Sequence, residues 1–184
     1  MNFEDAYAIT SRMVPATCSY EYPDCQLLWQ TAMSLPVGAT IVEVGVEAGR
    51  STSLLAQVAL ERECSLICID PFLTYGGRAA QDFIKNMREI NAPFVLNMMT
   101  TKKALWSGYL PDKIHMVHID GDHYADVLAS DCEILLPLVE PQCYAVFHDY
   151  GNPGLADVQP TVDKFTVGWK HIATQGTCHV VRKP

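Results

Sequence analysis

Three short stretches of this chain carry residue types that do chemistry. Two of them, Ile119-Asp120-Gly121-Asp122-His123 and Phe147-His148-Asp149-Tyr150, set carboxylates beside histidine where an apolar run ends. A neutral imidazole takes up a proton near neutral pH, so His123 and His148 are candidate general bases. The third, Thr40 to Thr52 (TIVEVGVEAGRST), has the build of a small-molecule clamp. Its apolar residues Ile41, Val42 and Val44 read as a buried parallel strand, and Gly45 lets the backbone turn tightly after it. Gly49, Arg50 and Ser51 would then present free N–H groups at the start of a helix. Asp70 closes a similar run, SLICID.

The elements that must position these residues can be read from periodicity. Strands are predicted at 40–45, 65–70, 93–97, 114–119 and 143–148, with helices at about 51–62, 78–90, 101–107, 123–138 and 155–167. This alternation means βαβ units and a mostly parallel sheet. Two helices, 3–14 and 24–35, precede it, separated by the Pro15 to Pro23 stretch. GWKHIAT and TCHVVRK, joined by QG, read as a terminal antiparallel hairpin. In an open α/β sheet, ligands bind beyond the carboxyl ends of the strands. Those ends carry Glu43 and Gly45, Asp70, Asn97 to Thr101, Asp120 to His123 and His148 to Asn152. His115 and His118 are expected on one side of the strand 114–119, as packed or edge histidines. Asp122 is expected to cap the following helix. Tyr20, Tyr22 and Trp29 are expected to serve core and lid packing, with contact to a bound substrate as the alternative should the N-terminal helices cover the site.

Composition narrows the partners. With 184 residues, 49% of them hydrophobic, the chain suits one domain with a real core. A balance of 13 basic against 21 acidic residues argues against a nucleic-acid partner. No apolar run reaches the roughly 18 residues of a membrane span, and the acidic start MNFEDAYAIT does not read as a signal peptide; a cytoplasmic protein with no membrane partner is expected. The seven cysteines form no C-x-x-C pair and no zinc spacing, and read as reduced thiols.

The clamp discriminates among ligands. A dinucleotide site wants G-x-G-x-x-G, whereas the spacing here is G-x-x-x-G, and Glu43 would repel a pyrophosphate. That carboxylate suits an ammonium group, the helix start beyond Gly49 suits a carboxylate, and Asp70 can accept from ribose hydroxyls. An amino acid joined to a nucleoside without phosphates describes S-adenosyl-L-methionine.

On the pieces EVGVEAGRS at 43–51, ICIDPF at 67–72, VHIDGDH at 117–123, LLPLVEP at 135–141 and VFHDYGNPG at 146–154, the chain resembles the class I S-adenosylmethionine-dependent methyltransferases. It is similar to methyltransferase family 24 and the small-molecule O-methyltransferases. The resemblance covers about residues 38–183 and implies a Rossmann-like α/β fold, with a mostly parallel seven-stranded sheet, helices on both faces and the terminal hairpin. Residues 1–36 would form a helical cap on this single domain. Glu43, Gly45, Glu47, Gly49 and Ser51 would line the methionine end of the cofactor, Asp70 would hold the ribose, Thr100 or Thr101 would lie near the adenine, and Asp120 would also face the cofactor. Asp120, His123 and His148 would be catalytic.

The resemblance further implies a divalent ion held by Asp120, His148 and Asp149. Aspartate oxygens suit magnesium. The resembled enzymes carry a carboxylate where this chain has His148, and imidazole favours zinc, manganese or iron. The other role open to His123 or His148 is that of a metal-free base; His123 matches the basic residue of the catechol-type enzymes. The acceptor would be a small molecule or a glycan unit, selected by residues 1–36, 72–80 and 150–157, and the reading admits a homodimer. A second reading is a methyltransferase-like binding or assembly module without turnover.

Overall fold

The computed structural model describes residues 1–13, 20–73 and 77–184. Residues 14–19, with Cys18 and most of the break between the first two helices, lie outside the described residues, as do residues 74–76 of the 72–80 segment. Strand β1 (Thr40–Val44) lies between β2 (Ser65–Ile69) and β4 (Ile114–Ile119), parallel to both. β3 (Val95–Asn97) extends the sheet outside β2, and β5 (Val139–Phe147) runs parallel beside β4. β7 (Cys178–Arg182) is antiparallel to β5 and pairs with β6 (Lys170–Gln175), giving the order β3-β2-β1-β4-β5-β7-β6. This is the seven-stranded, mostly parallel sheet expected from the sequence.

Strand periodicity sorts the core into two layers. Ile41, Leu66, Cys68, Met116 and Val146 pack under α1 (Phe3–Met13), α2 (Tyr22–Met33), α3 (Arg50–Arg62) and α4 (Arg78–Ile90). Val42, Val44, Val117, Ile119 and Phe147 pack with α5 (Thr101–Trp106), α6 (Ala125–Leu135) and α7 (Val158–Phe165). Register puts Glu43 directly beside Cys68 on β2 and His118 on β4. Its carboxylate therefore faces the first layer, inside an apolar surface.

Three expectations change. His115 and His118 stand three residues apart in a strand of period two, which sets them on opposite faces. His118 is buried beside Glu43, whereas the Nδ1 of His115 accepts from the Thr40 N–H at 3.0 Å. β5 begins at Val139 rather than 143: Pro137 ends α6 in a 3-10 turn, Leu136–Leu138, and the strand then pairs through a bulge between Ile114↔Val139 and Met116↔Tyr144. Asp122 precedes its helix by one turn, accepting from the Tyr124 N–H at 3.0 Å, and α6 starts only at Ala125.

The N-terminal helices are tied to the far end of the sheet by one buried carboxylate. Asp24 Oδ2 accepts from the Glu21 N–H at 3.2 Å, closing the first turn of α2. Its Oδ1 accepts from the backbone N–H groups of Thr177 (2.7 Å) and Cys178 (2.8 Å), in the turn between β6 and β7. Asp24→Ala leaves both donors without a partner and is expected to cost about 3 kcal/mol in denaturant unfolding. A loss near zero would show that the turn holds without α2.

Gly45 sets the distance between β1 and β4. A Cβ there would lie 2.0 Å from the Asp120 carbonyl oxygen and 2.6 Å from the Gly121 Cα, and its φ is +80°. Gly168 has nearly the same φ, +82°, with nothing within 4 Å of such a Cβ. Gly45→Ala is expected to cost about 4 kcal/mol or prevent folding, and Gly168→Ala about 1 kcal/mol. Equal losses in urea melts would show that backbone conformation alone requires Gly45.

Candidate functional site

A cavity of about 770 Å³ opens at the carboxyl ends of β1, β2 and β4, a volume that holds a small organic ligand. One wall comes from the β1–α3 turn, with Gly45, Glu47, Arg50 and Ser51; Asp70 enters from β2, and Thr100 and Thr101 from beyond β3. The opposite wall holds Asp120, His123 and Tyr124 after β4, and Asp149 after β5.

Asp70 fastens the glycine turn. Its Oδ2 accepts from the backbone N–H groups of Val46 (2.9 Å) and Glu47 (3.1 Å), and its Oδ1 from that of Phe72 (2.6 Å). Glu47 takes a positive φ of 43° in this turn. Asn86 donates to the Ala48 carbonyl at 2.8 Å from α4. Thr100 caps α5, its hydroxyl accepting from the Lys103 N–H at 3.3 Å. Arg50 is buried, and its Nε donates to the Tyr20 carbonyl at 2.7 Å, joining the clamp to the N-terminal region.

Of the residues assigned to a cofactor from the sequence, Gly45, Glu47, Ser51, Asp70, Thr100 and Asp120 share this one cavity. Gly49 lies behind it, where a Cβ would sit 3.1 Å from the Phe83 ring. Glu43 lies in the layer below. Its Oε1 is 3.1 Å from His118 Nδ1, while Oε2 is buried with no hydrogen-bond partner.

At the other wall, the ligand atoms of Asp120, His123 and Asp149 all lie within 4.8 Å of one another. His123 Nε2 is 2.9 Å from Asp149 Oδ2. His148, expected from the sequence to share that cluster as a ligand, stands behind it. Its Nδ1 lies 3.1 Å from both Asp120 Oδ1 and Asp149 Oδ2, and its Nε2 lies 3.2 Å from the Thr177 hydroxyl. The Tyr20 ring stacks on the His148 ring at 4.1 Å and 18°. Asp149 adopts φ +57°, a left-handed conformation that aspartate tolerates better than most residues, and Asn152 holds its Oδ1 with a 2.7 Å hydrogen bond.

These contacts set the charges. Burial works to lower the His148 pKa, but the Asp120 charge and the hydrogen bonds to Asp120 and Asp149 outweigh it and push it up to about 10. His148 is thus an imidazolium at neutral pH, donating from Nδ1 toward the two carboxylates and from Nε2 to Thr177. Burial works to raise the Asp149 pKa; the nearby His123 imidazole and the hydrogen bonds from His148 and Asn152 hold it far below the usual carboxylate range. The Asp149 carboxylate, 2.9 Å away, raises that of His123. Burial lifts Asp131, on the cavity wall, to about 6.

Sequence reasoning had Tyr20 only among the core and lid aromatics, without its partners His118 and His148, and missed Arg50 as the cavity's buried cation. Arg50 had a legible signal, a charge directly after the clamp's second glycine where the helix start is enclosed. Tyr20 had none, because its partner His118 is 98 residues away.

Comparison with known proteins gives the site a family. Residues 42–150 match the methyltransferase domain of family 24. No protein of curated function matches the sequence. Among solved structures, the chain is similar to the O-methyltransferase NovP, with a TM-score of 0.69 and 17% identity over 86% of this chain and 78% of that one. It is similar to TomG from Streptomyces achromogenes, an O-methyltransferase of tomaymycin synthesis solved with S-adenosylmethionine (TM-score 0.66, 18% identity, 99% and 89% covered). CalS11, a TDP-rhamnose 3'-O-methyltransferase of calicheamicin biosynthesis, gives a TM-score of 0.63 at 13% identity, with 97% and 93% covered. The strand order, the glycine turn and the matched domain agree: the chain belongs to methyltransferase family 24, within the class I S-adenosylmethionine-dependent methyltransferases.

Proposed function

We propose that this protein transfers a methyl group from S-adenosylmethionine to a hydroxyl oxygen of a small molecule or a glycan unit, assisted by a divalent cation. One observation carries the reading: two carboxylates and an imidazole, Asp120, His123 and Asp149, converge on the cavity whose opposite wall is the glycine clamp. Bound there, the cofactor supplies a methyl group already activated on a sulfonium, so the chain's task is to position the acceptor and manage its proton. Gly45, Glu47 and Ser51 would shape the methionine end. Glu43, enclosed in the layer below the cavity, would act on the ammonium end through its field rather than by contact. Asp70 keeps one acceptor position, on Oδ1, for a ribose hydroxyl, and Thr100 borders the adenine. Residues 1–36 act as a cap on the 38–183 core of a single domain, and the protein works in the cytoplasm without nucleic-acid or membrane partners. Among the described residues no helix is long and apolar enough to cross a membrane.

On the acceptor side, Asp120, His123 and Asp149 form a donor set of two carboxylates and one imidazole, which suits manganese, iron or zinc better than magnesium. A cation held there would lower the acceptor hydroxyl's pKa as a Lewis acid. Where no cation is held, His123 is instead the group placed to take the acceptor's proton, since its ring reaches the cavity while His148 is enclosed. His148 holds the two carboxylates together from behind. The sugar and antibiotic O-methyltransferases that share this fold support the class of acceptor.

Asp70→Ala is expected to weaken S-adenosylhomocysteine binding at least tenfold by calorimetry, about 1.4 kcal/mol, since it frees the glycine turn and removes the ribose acceptor; unchanged affinity would contradict the assignment. With phenols and nucleotide sugars offered as acceptors, release of S-adenosylhomocysteine is expected, and His123→Gln is expected to reduce it by roughly a hundredfold. Tight cofactor binding with no turnover on any acceptor would favour a binding module instead.

The His148 contact also has a pH signature. Its folded pKa lies above the unfolded value of about 6.5, so its stabilisation is complete below pH 6.5 and is lost as pH rises through about 10. In EDTA-treated protein the thermal midpoint is expected to fall between those limits, and His148→Gln to flatten that fall. An unchanged slope in the variant would place the titration elsewhere.

A further inference from the structure

A buried polar chain runs from beneath the clamp to the carboxylates. Cross-strand register makes Glu43 and His118 neighbours on β1 and β4, both 0% exposed, with Glu43 Oε1 3.1 Å from His118 Nδ1. In the tautomer that donates from Nδ1–H to the Glu43 oxygen, the His118 Nε2 is left as an acceptor. The Tyr20 hydroxyl lies 3.0 Å from that Nε2 and donates to it. This bond fixes the Tyr20 ring against the His148 imidazole, parallel to it within 18° at 4.1 Å. His148 in turn lies between Thr177 at Nε2 and the pair Asp120 and Asp149 at Nδ1. A buried polar pair in an apolar layer costs stability unless it is fully satisfied, and a pair of apolar residues would fill that layer without the cost.

From this geometry we infer that Tyr20 is a positioning residue: its hydroxyl takes its orientation from the Glu43–His118 pair, and its ring holds His148 so that Nδ1 faces both Asp120 and Asp149. Tyr20 acts through His148 on the two carboxylates, which gives Glu43 and His118 a part in the acceptor half of the site without touching it. The assignment rests on the reading that Asp120 and Asp149 serve the acceptor. It also explains why Arg50 grips the Tyr20 backbone carbonyl, at 2.7 Å from Nε. The hydrogen bond to His118 at one end and the Arg50 clasp at the other leave the ring a single orientation.

The test reads imidazole nitrogen spectra of the full chain, without turnover, so it succeeds or fails independently of any cation or acceptor. In two-dimensional long-range ¹H–¹⁵N spectra, His118 is expected as the Nδ1–H tautomer. Tyr20→Phe keeps the stack and removes the donor: the His118 Nε2 signal is expected to move. Tyr20→Leu removes the stack, and the His148 ring protons are expected to lose their ring-current shift. Glu43→Gln is expected to move the His148 signals in the wild-type background and to leave them unmoved in the Tyr20→Phe background. Equal movement in both backgrounds, or movement of His118 alone, would overturn the proposal. Should Glu43→Gln fail to fold, His118→Gln made in the same two backgrounds gives the same comparison. A loss of S-adenosylhomocysteine affinity in Tyr20→Phe matching that of Asp70→Ala would assign Tyr20 to cofactor binding instead and overturn the proposal.

Discussion

The site depends on how closely the turn after β1 approaches the tip of β4. With the Asp120 carbonyl 2.0 Å from where a Cβ of residue 45 would stand, only glycine lets the two loops meet. Parallel register then aligns the tips: Val44 pairs with Ile69 on one side and Ile119 on the other, so Gly45, Asp70 and Asp120 emerge at one level. The glycine turn and the carboxylate cluster, which in sequence lie far apart, thereby become two walls of one cavity.

Charge is the second constraint. Asp24, Glu43, His118, His148 and Asp149 are all buried, and an isolated charge at such depth would be strongly unfavourable. The fold gives them partners instead. Glu43 Oε1 meets His118 Nδ1, and Asp149 is flanked by His123 and His148. Asp24 accepts from the turn between β6 and β7, which Thr177 joins to His148. The antiparallel hairpin is therefore part of the site's support, since it supplies the residue that satisfies the back of the His148 ring.

Much of this was legible in the sequence for a simple reason. Apolar runs of strand length end in polar residues at the carboxyl edge, so Asp70, Asp120 and Asp149 could be located without coordinates, as could the sheet and its terminal hairpin. What was not legible depended on which side of a strand a residue faces. His148 follows Val146 on the face covered by the N-terminal helices, which turns it away from the cavity and toward Tyr20, while Asp149, with its positive φ, reaches the cavity. The same parity sends Glu43 toward His118. His115 and His118 required only that the strand period be applied correctly. The partners of Tyr20 could not have been found, because nothing local to residues 20–22 encodes a contact with His118 on β4 or with His148 after β5.

The central claim is that the methyl donor and the Asp120–His123–Asp149 cluster occupy one cavity. It is tested most directly by binding S-adenosylmethionine carrying a ¹³C-labelled methyl group and measuring that carbon's relaxation as manganese(II) is added. Strong paramagnetic broadening that disappears in Asp149→Asn is the result this account predicts. A methyl signal that stays sharp while the cofactor remains bound would contradict it.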